Sequence, residues 1–337
     1  MAKIEPPLRM VAWELTRNCN LSCIHCRASA TLGPYTDELT LAECQKIIDE
    51  IAGFSSPTII LTGGEPLIRN DLFDIIEYGT DRGLRLVIAI NGTLLDKEKA
   101  KKLKTGGIKR VSLSIDGKYN ATHDLFRGVN GSFASVINAT EILTDTELPF
   151  QINTTVTKFN VEELRSIYGL VKSIGAVAWH IFLLVPVGRG QELKGKELDT
   201  DMYEQVLAWL YDIEKKNELE IKVTCAPHYY RIVKEKGDMP KSTGCLAGKS
   251  FMFISHKGIA QPCGYLEIPA GDIKKDGVKK VWEESPVFNQ LRDLSSYRGK
   301  CGGCRYLKIC SGCRARAYEL TGDFLGEEPY CSYKERQ

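Results

Sequence analysis

The 337 residues allow one large or two medium domains with a substantial core, and 43% hydrophobic with 26% charged residues is ordinary soluble-protein composition. A formal charge of +2 without a long basic run argues against a nucleic-acid partner. The first residues lack the apolar core of a signal peptide, and the longest apolar run, 176–187, is broken by His180 and Pro186; no membrane contact and a cytoplasmic location are expected.

Along the chain, a strand-like stretch at 10–15 leads into three cysteines spaced C-x3-C-x2-C, namely Cys19, Cys23 and Cys26. Residues 39–53 have helical apolar spacing with Thr40 placed to cap them, and 57–62 is a buried-strand run ending in Gly63-Gly64-Glu65-Pro66. Helix at 71–82, strand at 84–90, helix at 97–104 and strand at 108–115 follow. The pattern continues with helix at 132–144, strand at 150–156, helix at 161–174, strand at 177–185, helix at 201–216 and strand at 220–223. Apolar strands alternating with helices predict an α/β fold with a parallel sheet covered by helices. Six βα units are too few for a closed eight-stranded barrel, so a partial (β/α)6 barrel is expected. Right-handed crossovers bring all the post-strand turns to one edge. Beyond residue 240 cysteine and glycine become frequent and helical pattern fades, apart from 277–294. The expected organisation is a barrel over 1–225, a linker over 226–244 and a small Cys-rich domain over 245–337.

Twelve cysteines are the anomaly. In a reducing compartment their clustering points to metal ligation or redox chemistry rather than disulfides. Three local thiols without a fourth suggest a cluster with one metal site left for a small molecule, with a zinc knuckle as the alternative. Glycines at the GGEP turn let a ligand approach the backbone and leave amides free to bind it. Cys44, on an apolar helical face, reads as a core residue.

The sequence CNLSCIHC followed one βα unit later by GGEP resembles the radical S-adenosylmethionine superfamily. In that family the three cysteines hold a 4Fe-4S cluster whose fourth iron is chelated by the methionine end of S-adenosylmethionine. The resemblance implies that Cys19, Cys23 and Cys26 are the ligands and that Gly63, Gly64 and Glu65 hold the methionine amino group. Ser114 and Asp116 match a segment near the ribose and methionine. Arg127, in the H-x3-R stretch that begins at His123, matches an arginine on the cosubstrate carboxylate, and Asn153 matches a ribose contact.

In the tail, Cys245, Cys263, Cys301, Cys304, Cys310, Cys313 and Cys331 resemble the SPASM extension, which carries one or two auxiliary 4Fe-4S clusters. The resemblance pairs Cys301, Cys304, Cys310 and Cys331 as one full set. Cys245, Cys263 and Cys313 form a second, open or completed by Cys225. Family members place three residues between the last two central cysteines; here only Ser311 and Gly312 intervene, which puts the role of Cys313 in question. A zinc-ribbon-like tail is the alternative.

Segments at 8–14, 26–30, 184–190, 224–231 and 312–318 resemble the heme-forming branch of the superfamily. That branch oxidatively decarboxylates two propionates of Fe-coproporphyrin III to vinyl groups, giving heme b, by way of a 5′-deoxyadenosyl radical. The resemblance implies a porphyrin substrate and a small electron donor of the ferredoxin or flavodoxin kind. Arg27, Arg189 and Arg231 are candidate propionate anchors, since guanidinium groups pair well with carboxylates. His228 and Tyr229 are candidate catalytic residues. The alternatives are another tetrapyrrole-modifying enzyme, a peptide maturase of the same architecture, and a non-catalytic iron–sulfur electron carrier.

Overall fold

The computed structural model describes residues 7–334. Seven strands lie in the predicted places: β1 (Met10–Thr16), β2 (Thr58–Gly63), β3 (Arg85–Ala89), β4 (Val111–Ser114), β5 (Phe150–Val156), β6 (Ala178–Leu183) and β7 (Glu220–Thr224). Each pairs in parallel with the next. Helices α1 (Leu41–Phe54), α2 (Leu72–Asp81), α3 (Lys97–Thr105), α4 (Asn120–Arg127), α5 (Ser132–Asp145), α6 (Leu164–Ser173) and α7 (Thr200–Lys215) fill the crossovers. Because β7 ends one side of the sheet and never meets β1, the barrel stays open.

Helix α1 shows how local chemistry sets an element. Thr40 Oγ1 accepts from the Glu43 amide at 3.3 Å while Glu43 takes the Thr40 amide at 2.8 Å, a reciprocal cap. Ile47, Ile48, Ile51 and Cys44 then recur on one face and are buried. Thr40→Ala is expected to cost about 1 kcal/mol, read as a lower urea midpoint with unchanged slope.

The tail departs from expectation. Residues 226–244 contain a further helix, α8 (Tyr229–Glu235), whose first five residues are buried. Strand β8 (Phe251–Ile254) pairs in parallel with the free side of β1, Met10 opposite Phe251 and Trp13 opposite Ile254. Strands β9 (Ile259–Gln261) and β10 (Gly271–Asp272) add antiparallel, so the sheet runs β10-β9-β8-β1 through to β7. The Cys-rich segment thus begins as the edge of the barrel's own sheet. Among the described residues no helix is long and apolar enough to cross a membrane.

Candidate active site

Just before the cysteine loop leaves β1, the strand carries Glu14, a carboxylate with no exposed surface. Glu14 accepts from Arg17 at 3.0 Å, Arg27 at 3.0 Å and His256 Nδ1 at 2.7 Å. Burial alone would raise this carboxyl, yet Arg27, His256 and Arg17 together hold it down at about 2. Arg27 also lies over the Phe253 ring at 4.4 Å, so β8 holds the arginine directly while His256 beyond it holds the arginine's carboxylate partner.

Other elements fasten the loop at its backbone. The Ser22 and Ile24 amides donate to Arg127 and Phe126 carbonyls at the end of α4, at 3.2 and 2.9 Å. Arg189, after β6, donates from Nε to the Cys23 carbonyl at 2.9 Å and from Nη1 to the Ala30 carbonyl at 2.7 Å. The GGEP turn is welded to the same region, with the Gly64 and Glu65 amides donating to the Thr16 and Asn18 carbonyls at 2.7 Å each. Those amides, expected to be free for a ligand, therefore serve the chain itself. A Cβ on Gly64 would sit 2.2 Å from the Asn18 oxygen, so only glycine permits this approach.

One cavity at this edge collects Cys19, Cys23 and Cys26 with Gly63, Gly64, Ser114, Arg127 and Asn153, as the sequence grouped them. Arg27 and Arg189 line it too. Glu65 and Asp116 do not. Glu65 is fully buried behind the wall, accepting the Leu67 amide at 3.0 Å and the Asn91 amide at 2.6 Å, and burial pushes its carboxyl up to about 7. Asp116 pairs with Arg127 and accepts the Thr155 amide at 2.7 Å, which orients the arginine toward the Cys23 sulfur, 3.7 Å from Nη1. His123, on the same helix, receives the Asp116 amide at 3.2 Å, and burial lowers its imidazole to about 4.

His25, Asn91, Phe182 and Tyr265 also line the cavity, although none of them is among the cosubstrate or substrate contacts expected from the sequence. Burial lowers His25 to about 4, so its ring is neutral near pH 7, and it packs 5.5 Å from Phe126. Its position between two cluster-spaced cysteines was the available signal; nothing local marked Tyr265.

Arg231, His228 and Tyr229 lie elsewhere. Arg231 is ion-paired to Glu204 and Glu235 (Nη1 to Glu235, 2.7 Å) and, with His228, lines a smaller cavity holding Cys301, Cys304, Cys310 and Cys331. Tyr229 is buried, bonded to Glu214 and packed on Tyr230, and lines neither cavity. Four other tail-side thiols gather separately, with Cys225 and Cys263 packed against Cys313, and Cys245 close enough to feel Cys263 and Cys313. The short Cys310 to Cys313 spacing works because Ser311 and Gly312 are both left-handed, φ +63° and +62°, which turns the two thiols toward different sets. A larger hollow of about 1020 Å³ beside α4, lined by Tyr119, Leu125 and Phe133, holds none of the thiols.

Among the described residues no three His, Cys, Asp or Glu side chains converge tightly enough for a single metal ion. The thiols instead stand around the walls of cavities, and the buried Arg127 Nε and His25 Nδ1 at the first one lack protein partners. This donor set fits a thiolate-held cluster with a polar organic ligand beside it.

The chain belongs to the radical SAM superfamily: the superfamily model matches residues 13–171, and the SPASM iron–sulfur cluster-binding domain matches 245–314. Curated relatives sharpen this to an enzyme of the heme-synthase type. An AdoMet-dependent heme synthase of Methanosarcina barkeri is 48% identical, covering 97% of both chains. One from Nitratidesulfovibrio vulgaris is 46% identical, over 98% of this chain and 94% of its own. The Fe-coproporphyrin III synthase of Methanosarcina barkeri stands further off, at 27%. Streptococcus suis SuiB bound to S-adenosylmethionine shares the fold, with TM-score 0.80 at 17% identity over 98% of this chain and 78% of that one. S-adenosylmethionine and 4Fe-4S clusters are accordingly the cofactors of this enzyme.

Proposed function

We propose that the enzyme converts Fe-coproporphyrin III to heme b by oxidative decarboxylation of two propionates. The observation that carries this reading is the pair of arginines, Arg27 and Arg189, on the wall of the thiol-lined cavity, set in a chain nearly half identical to heme synthases. When bound, the loop cluster supplies the electron that cleaves S-adenosylmethionine, and the organic radical released takes a hydrogen atom from the propionate β-carbon. Carbon dioxide then leaves, a vinyl group forms and one electron remains for each propionate.

The chain's own residues bind and orient. Cys19, Cys23 and Cys26 would ligate the cluster; Arg127, oriented by Asp116, would meet the cosubstrate carboxylate; Gly63, Gly64, Ser114 and Asn153 would border the rest of it. Arg27 uses Nη1 on Glu14, leaving its other N–H groups for a substrate carboxylate. Phe182 and Tyr265 give an apolar and aromatic wall suited to a macrocycle. Arg231, already paired with two glutamates, is left out of the substrate set. We assign Cys301, Cys304, Cys310 and Cys331 to one auxiliary cluster, and Cys225, Cys245, Cys263 and Cys313 to a second. A ferredoxin or flavodoxin type of donor would supply the first electron.

Anaerobic incubation of the reconstituted enzyme with reductant, S-adenosylmethionine and Fe-coproporphyrin III tests this. Mass spectrometry of the porphyrin is expected to show two successive losses, each equivalent to formic acid. An unchanged porphyrin would leave the superfamily membership standing and defeat the substrate.

A further inference from the structure

Between residues 294 and 318 the chain has six cations and no carboxylate. Arg298, Lys300, Arg305 and Lys308 are at the surface, whereas Arg314 and Arg316 are each 0% exposed. The two buried guanidiniums are treated differently. Arg316 Nη1 meets both carboxylate oxygens of Glu328 at 3.2 Å, and Nη2 donates to the Leu183 and Leu184 carbonyls. Arg314 donates to the neutral carbonyls of Gly312, Phe324 and Gly326 at 3.3, 3.1 and 2.5 Å, and to the Cys301 sulfur at 3.8 Å. Its guanidinium lies 4.9 Å from the Tyr297 ring centroid. Asp323 feels its charge but is fastened to Arg298 by bonds of 2.9 and 2.7 Å.

A desolvated guanidinium is always charged, and without a counter-charge it is costly. Arg314 is also held in place, because Gly312 at φ +62° makes room that a Cβ would close to 2.3 Å from Nη2. The thiol it reaches is that of Cys301, and a cluster held there would carry the negative charge that matches it. The potential of an iron–sulfur cluster responds to local charge and to hydrogen bonds on its sulfurs.

We propose that Arg314 is the built-in counter-ion of the cluster held by Cys301, Cys304, Cys310 and Cys331, and that it raises that cluster's reduction potential enough to accept the electron left by substrate oxidation. The inference rests on the cluster assignment above. A cluster held by these four cysteines would take up the one electron left when the substrate radical loses carbon dioxide, and would pass it to a soluble one-electron carrier. Arg314 acts through the cluster and is a positioning residue for charge.

The test is a redox titration, followed by electron paramagnetic resonance, of the reconstituted full chain in which Cys19, Cys23 and Cys26 are alanine. The relevant couple is the one altered by Cys331→Ser. Arg314→Gln is expected to shift its oxidised-to-reduced ratio at fixed potential at least tenfold toward oxidised, ~59 mV for one electron, and Arg314→Lys less. Identical couples in all three proteins, or equal shifts for Gln and Lys, would overturn the proposal. Where Arg314→Gln fails to hold iron, Arg314→Lys decides: retention within tenfold supports the counter-ion, and loss in both variants overturns it. A parent protein without tail iron, or without a couple sensitive to Cys331→Ser, would instead defeat the cluster assignment.

Discussion

Replacing Cys19, Cys23 and Cys26 together by alanine is expected to abolish reductive cleavage of S-adenosylmethionine while the tail keeps its iron. The three thiols line one cavity, and none of the tail thiols does. Burial pushes Cys19 up to about 11 and raises Cys23 as well, so neither thiol is ionised near neutral pH without a metal. Coordination would deprotonate them outright, with Arg127 beside Cys23 supplying positive charge. The measurement is 5′-deoxyadenosine by chromatography alongside iron per chain. Iron should fall without reaching zero and 5′-deoxyadenosine should vanish. Continued formation of 5′-deoxyadenosine would refute the loop assignment.

Glu14→Gln is expected to destabilise the fold by about 3–5 kcal/mol, because it leaves the largely buried Arg27 facing a neutral amide in place of its anion, although the amide oxygen can still accept from His256. The acid limb gives an independent sign. The Glu14 carboxyl lies at about 2, below its ordinary 4.5. Its contribution is therefore complete above about pH 4.5 and is lost as pH falls toward 2. Wild type should lose stability steeply across that window and the glutamine variant less so. Urea unfolding of the two proteins, prepared alike and followed against pH, measures both effects. A loss under 1 kcal/mol at pH 7 would show that the network is dispensable.

What the sequence made legible was whatever repeats locally. Apolar runs between helices located all seven parallel strands within a few residues, because a strand buried on both faces has to be apolar along its length. The thiol trio, the GGEP glycines, Ser114, Asn153 and Arg127 share one cavity because they lie on parallel strands or on the segments that follow them, and the crossovers deliver every such turn to one edge. Helix α4 escaped notice because it has eight residues and buries only His123 and Phe126, too few to set a period. Strand β8 is four residues in a segment dominated by cysteine and glycine, and its pairing with β1 joins positions some 240 residues apart. Direction was equally invisible: Arg27, Arg189 and Arg231 look alike in sequence, yet two face the first cavity and one is locked between glutamates at the other. Cys225 gave no local sign of its partners, since they come from three distant stretches of the tail.

The docking of β8 on β1 also has a meaning in time. Strand β1 finds one neighbour about fifty residues later and the other only after residue 250 has emerged. Until then β1 presents a bare ladder of amides and carbonyls, with Glu14 lacking His256. Such an edge invites pairing with another chain. A nascent or truncated chain ending before Phe251 thus keeps an adhesive edge, and the last quarter of the sequence closes the seam that β1 opens.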